Sequence, residues 1–141
     1  MKFIKVIDIR QLRLQRLILL ASGLIAVGIA GTILFAPGAF YSGYGIELEG
    51  NVSLANELKA PVGLLLAAGL VMVAGVFREE HVCTALVTAT VIYLSYGLSR
   101  LLSIAMDGVP HGGLVTAAIL ELAIGGACLL ALLRLRTTCS H

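Results

Sequence analysis

Tryptophan is absent, and charge is scarce: 10 Lys and Arg with 8 Asp and Glu make up 13% of 141 residues. Soluble domains carry about 25% charged residues, so this chain has too few to cover a water-facing surface. That excludes a soluble enzyme or binding domain. The net charge is only +2, which leaves no broad basic face for nucleic acid. The length suits one small domain and is too short for a membrane unit with a soluble catalytic domain beside it.

Cysteine is equally sparse. Cys83, Cys128 and Cys139 stand far apart, with no C-x-x-C spacing and no clustered histidines. Neither a zinc site nor a redox pair is expected. His81, His111 and His141 are remote from one another, so no metal and no cofactor is expected. G-x-S-x-G, Walker, H-E-x-x-H and G-x-G-x-x-G signatures are all missing, which removes the familiar hydrolase, nucleotide and metalloprotease sites. "HGG" at 111–113 has no nucleophile elbow to serve and reads as a turn.

What is present is oil. The sequence is 59% hydrophobic, gathered into four runs: 17–35, 60–77, 82–106 and 114–133. Each is about the 20 residues a helix needs to cross a bilayer. Continuous rather than alternating runs exclude a β-barrel. The expected fold is all-α, an integral membrane four-helix up-down bundle. Lys2, Lys5, Arg10, Arg13, Arg16, Arg78, Arg134 and Arg136 fall on one side of these spans. Lys59 and Arg100 share the other with Glu47, Glu49, Glu57 and Asp107. The positive-inside rule then puts both termini in the cytoplasm. The first run is too long for a cleaved signal peptide and lacks an A-x-A site, so a retained helix is expected.

Residues 1–16 read as a basic cytoplasmic or interfacial segment ahead of the four-helix domain at 17–133, and 134–141 as a cytoplasmic tail. The longest connection, 36–53, carries Phe40, Tyr41 and Tyr44 among glycines, as suits a strip at headgroup level. Pro61 cannot donate to the Glu57 carbonyl, so a kink is expected there. Small residues repeat along the spans at Ser22, Ala26 and Ala30, at Gly63, Ala67 and Gly75, and at Ala123, Ala127 and Ala131. Such rows let helices approach closely in lipid.

One polar layer stands out. Tyr93, Tyr96, Arg100, Ser103 and Asp107 follow a 3-4-3-4 spacing, the inward seam of a packed helix. On the fourth span Ala118, Glu121, Gly125 and Cys128 do the same. Counting outward from the turn at Pro110 sets Arg100 level with Glu121. Counting from "REEH" sets Arg100 level with Lys59, and Ser103 opposite Asn56 with Glu57 nearby. Two bases and two acids would then meet roughly 10 Å inside the outer boundary. An isolated charge at that depth costs several kcal/mol, so mutual pairing is the expected arrangement.

"NELKAPVGLLLAAG", "SRLLSIAMDGVP" and "LELAIGG" resemble a bacterial family of small four-helix inner-membrane proteins catalogued as a domain of unknown function, grouped with DoxX-like proteins. The pattern residues are Asn56, Glu57, Lys59, Arg100, Ser103, Asp107, Gly108, Pro110 and Glu121. The resemblance implies a four-helix fold and no established activity; the link of DoxX-like proteins to quinone-coupled sulfur oxidation is an analogy only.

The residues support two main expectations. The first is a non-enzymatic accessory or assembly subunit, a packing partner in a larger membrane complex or homo-oligomer, surrounded by membrane lipids and stiffened by a structural ion-pair layer. The alternative is a quinone or lipid ligand in a bundle cavity. Glu121 or Asp107 would then act as acid or base, Arg100 would hold an anionic or carbonyl group, and Tyr96 would donate a proton. A transport path is disfavoured, because the fourth span carries no charge between Glu121 and Arg134.

Overall fold

The computed structural model describes residues 9–139 and, within them, the side chains of 10–135. Six α-helices follow in order: α1 (Ile9–Phe35), α2 (Pro37–Ser42), α3 (Val52–Lys59), α4 (Val62–Phe77), α5 (Val82–Asp107) and α6 (Gly112–Cys139), with a 3₁₀ turn at Glu79–His81. No strand occurs among the described residues. Four spans are long and apolar enough to cross a membrane: Arg10–Phe35, Val52–Phe77, Glu79–Asp107 and Gly112–Leu135. In lipid the backbone must satisfy itself, and an uninterrupted apolar run does so only as a helix.

Two boundaries differ from the sequence expectation. α1 starts at Ile9 rather than Leu17, so Arg10, Arg13 and Arg16 ride on the first turns of the spanning helix and 9–16 is no separate segment. Gln11 and Gln15 do not break a helix, and hydropathy alone marks only where oil begins. α6 likewise runs past Leu133 to Cys139. Lys2 and Lys5 of the basic segment, and His141 of the tail, lie outside the described residues. The second span is broken where Pro61 stands, between α3 and α4. Ala60 N–H still reaches the Asn56 carbonyl at 3.0 Å, and the next bond is the one Pro61 cannot donate.

α5 packs most extensively on α6 and α1 on α4, while α4 meets α5; α1 touches α5 and α6 sparingly. Glycine makes these seams close. An added Cβ on Gly23 would stand 3.0 Å from the Gly69 carbonyl, and one on Gly69 would stand 3.1 Å from the Gly23 carbonyl. Backbone therefore meets backbone between α1 and α4. Gly75 lies against Ala85 of α5, and Gly97 and Gly125 lie beneath Leu122 and Leu94. Ser22, Ala26 and Ala30 are buried as one row. The other small-residue rows divide: Gly63, Ala67 and Ala123 face outward, whereas Gly75 and Ala131 are buried. Leu19, Met72, Leu86 and Cys128 fill the main core. Large apolar side chains such as Leu17, Leu24, Leu64, Leu98 and Leu120 stay exposed on the outside of the bundle, as lipid contact requires.

Candidate functional site

The seam between α5 and α6 builds the site. Gly97 admits Leu122 and Gly125 admits Leu94, so the two backbones come close and residue numbers fall on one helix as they rise on the other. Arg100 stands three residues past Gly97 and Glu121 one before Leu122, within side-chain reach of each other across the seam. Arg100 Nε donates to Glu121 Oε2 at 2.9 Å and to Oε1 at 3.2 Å. The Arg100 side chain is 35% exposed and that of Glu121 18%, so the carboxylate is the more enclosed partner. A charge-assisted contact of this length is among the stronger hydrogen bonds a protein makes.

Ser103 and Asp107 stay on the same helix but turn to each other, Ser103 Oγ donating to Asp107 Oδ2 at 3.1 Å. Both are exposed. Asp107 ends α5, and Gly108 follows at φ 98°, a conformation that favours glycine. Arg100 and Ser103, with Ile104, Pro110 and Leu114, line a cavity of about 100 Å³.

Asn56, Glu57 and Lys59 do not join this layer. No hydrogen bond or ion pair of theirs reaches Arg100 or Glu121 among the described residues; Asn56 and Glu57 are exposed and Lys59 is half-buried. Counting residues from "REEH" assumes a constant helical rise across Pro61. Regular helical bonding lapses at Ala60 and Pro61, between α3 and α4, and the 3₁₀ turn after Arg78 alters the count at the other end of the span.

Tyrosines come to the layer instead. Tyr41 packs on the cluster of Ala30, Ile33 and Val62, and burial raises its hydroxyl above the usual 10.0, with the Arg100 guanidinium pulling back and Tyr96 and Tyr44 adding a smaller push upward. Tyr96 is within the electrostatic reach of both Glu121 and Arg100. Tyr44 rests on Gly113, where an added Cβ would meet its ring at 2.7 Å, and edge-on to His111. The strip expected at headgroup level thus folds over the α5–α6 turn, with the Phe40 ring edge-on to Tyr41 and Tyr44 at 5.2 and 5.4 Å. The signal in the sequence was the helical spacing of Phe40, Tyr41 and Tyr44 behind Pro37, which starts α2.

A family model described as Domain of unknown function (DUF4345) matches residues 14–132. The chain belongs to the DUF4345 family. No curated protein and no solved structure matches it. The DUF4345 match begins in the second turn of α1 and ends within α6, so Tyr41, Arg100 and Glu121 all lie inside it.

A second polar knot lies deeper in the DUF4345 region and is structural. Tyr93 Oη donates to the Ser22 carbonyl at 2.6 Å, and Ser22 Oγ donates to the Ile18 carbonyl at 2.7 Å with Cys128 Sγ 3.7 Å away. Tyr93 and Cys128 are buried here, so large meets small by interdigitation. Gly125, one turn away on the same face of α6, lies against Leu94. No group of three or more His, Cys, Asp or Glu able to hold a metal occurs among the described residues.

Proposed function

We propose that this DUF4345 protein is a non-enzymatic, multi-pass membrane protein acting as an accessory or assembly subunit, with Arg100–Glu121 as a structural ion pair. The observation that carries this reading is that Glu121 is held by Arg100 with little room beside the pair. Both Glu121 oxygens lie on Arg100 Nε, and the cavity beside them, about 100 Å³, is well below the roughly 300–1,000 Å³ of small-molecule sites. So small a space beside a paired carboxylate favours a structural role over a substrate site. The packing role draws support from α4, whose Gly63 and Ala67 face outward, with nothing within 4 Å of a Cβ added to Gly63. Small residues on a lipid-facing surface admit the close approach of another helix.

The reading includes an up-down bundle of DoxX-like kind in a bacterial inner membrane, with both termini cytoplasmic. It is supported by Arg10, Arg13, Arg16, Arg78 and Arg134 gathering at one set of helix ends and Glu47, Glu49 and Asp107 at the other, as the positive-inside rule expects. Native mass spectrometry after gentle extraction tests the proposal. Release together with larger polypeptides, or as a defined oligomer, supports it. A bare monomer carrying a quinone-sized molecule that Glu121→Gln abolishes would overturn it in favour of ligand chemistry at Tyr96, Arg100 and Glu121.

A further inference from the structure

Arg100 holds Glu121 through Nε alone. Both bonds to the carboxylate run from that atom, while Nη1 and Nη2 bond nothing among the described residues. Neither is shut away, because no Arg100 atom is buried without a partner. The ion pair thus leaves the N–H donors of both terminal amino groups accessible from outside. Arg100 and Ser103 line the cavity of about 100 Å³ with Ile104, Pro110 and Leu114. Ser103 and Pro110 are exposed, so the cavity opens at the surface between α5 and the start of α6. Ser103 Oγ donates onward to Asp107 Oδ2 at 3.1 Å, which brings that carboxylate beside the rim.

Charge has an order here. Arg100 and Asp107 are two turns apart on one face of α5, so the cation lies about 10 Å deeper than the anion. The complement of that wall carries negative charge inward and positive charge outward. Charge balance points the same way. Glu121 offsets the guanidinium and Asp107 adds to Glu121, so an anionic ligand would meet a net negative set, whereas a zwitterion brings no net charge to it. Phosphate oxygens match the paired N–H groups of arginine, and an ammonium with N–H bonds matches a carboxylate. Depth selects the source. The span Glu79–Asp107 has 29 residues, about 43 Å of helix, the thickness of a bilayer from headgroup to headgroup. Arg100, about 10 Å below its end, stands just inside the headgroup layer, where a long cationic side chain reaches outward to lipid phosphates.

We propose that the cavity at Arg100 and Ser103 binds the headgroup of a zwitterionic phospholipid with a primary ammonium, its phosphate on the unbonded Arg100 amino groups and its ammonium at Asp107. Phosphatidylethanolamine has this chemistry. The site rests on the structural reading of the Arg100–Glu121 pair, which holds the guanidinium in place and leaves its tip to the lipid. A space below that of a whole small-molecule site suits one phosphate, with the acyl chains remaining in the bilayer.

The test uses the full chain in detergent, incubated with equal amounts of phosphatidylethanolamine, phosphatidylglycerol and phosphatidylcholine of matched chains and read by native mass spectrometry. One phosphatidylethanolamine per chain is expected. It should be retained about fivefold over phosphatidylglycerol, which lacks the cation, and over phosphatidylcholine, whose quaternary ammonium has no N–H. Asp107→Asn should bring phosphatidylethanolamine and phosphatidylglycerol level, and Asp107→Lys should favour phosphatidylglycerol. Asp107 is exposed at the C-terminal end of α5, where a lysine suits the helix dipole, so both variants should keep the wild-type helicity by circular dichroism. Ser103→Trp fills the cavity from its exposed rim and should cut the adduct about tenfold. Glu121→Gln still offers Nε an oxygen and removes a negative charge beside the phosphate, so retention should hold or rise. Soluble phosphoethanolamine, the same headgroup without chains, should displace nothing at equal concentration. Equal retention of the three lipids, an unchanged order in Asp107→Lys, or displacement by the soluble headgroup would overturn the site and leave the ion pair standing. Loss of the bound molecule in Glu121→Gln would overturn both.

Discussion

Two of the polar points within this oily bundle, one near each end, are treated in opposite ways. Between α5 and α6, Arg100 and Glu121 meet at 2.9 Å across a seam drawn tight by Gly97 and Gly125. Between α1 and α6, Gln15 makes one bond to Ala131 and leaves its other polar atom unanswered beside an open groove. The difference teaches that the cost of burying a polar group decides how fully the chain itself must answer it. A charge in lipid is too costly to leave alone, so it is paired inside the chain. A neutral amide costs less to leave half-bonded.

The largest effect that would break the comparison is at the paired point. Arg100→Leu leaves Glu121 enclosed without its cation and should lower unfolding free energy in micelles by about 3 kcal/mol, while adding Glu121→Leu should restore most of it. Equal losses in the single and double variants would show that the two side chains do not depend on each other. The seams themselves come next. A Cβ on Gly125 would stand 2.7 Å from Leu94 Cδ2 and 3.0 Å from the Leu94 nitrogen, so Gly125→Val should cost about 1–3 kcal/mol. Ala127→Val, facing the groove, should stay within about 0.5 kcal/mol. Similar losses at both would mean that the α1–α6 seam is as tight as the other.

Gln15→Leu sharpens the contrast further. It removes the unanswered acceptor together with one long hydrogen bond, so stability in lipid-free detergent should hold or rise by up to about 1 kcal/mol, the opposite of Arg100→Leu. The smallest effect concerns the tyrosine that folds over the paired end. Burial raises Tyr41 above the usual 10.0, so the folded state resists its ionisation more than the unfolded chain does. Its contribution is complete below the unfolded value and is lost as pH rises through the folded one. In an alkaline melting series, wild type should therefore lose stability more steeply above pH 10 than Tyr41→Phe. Parallel curves would place Tyr41 in contact with water.

The site was legible where the helices are regular. Arg100 and Glu121 flank a short turn, and equal counting from Pro110 brought them level because both helices keep a constant rise of about 1.5 Å per residue up to that turn. The same counting brought Asn56, Glu57 and Lys59 to no bond with the pair, since regular helical bonding lapses at Pro61 and a 3₁₀ turn precedes α5. Tyr41 and Tyr44 were read as a headgroup strip because composition reports amphipathic rings without reporting which way a connection folds.

What the sequence determined by itself is the all-helical character and the four apolar spans, because backbone satisfaction in lipid and side-chain hydropathy are local properties. Tertiary structure alone decided which small residues close a seam and which face outward, that Tyr41 would stand by Arg100, and that Gln15 would be buried half-answered. These depend on how far apart two helix axes lie and how each is rotated. In oil those quantities follow from shape matching between whole helix faces, where every apolar residue looks alike to the solvent.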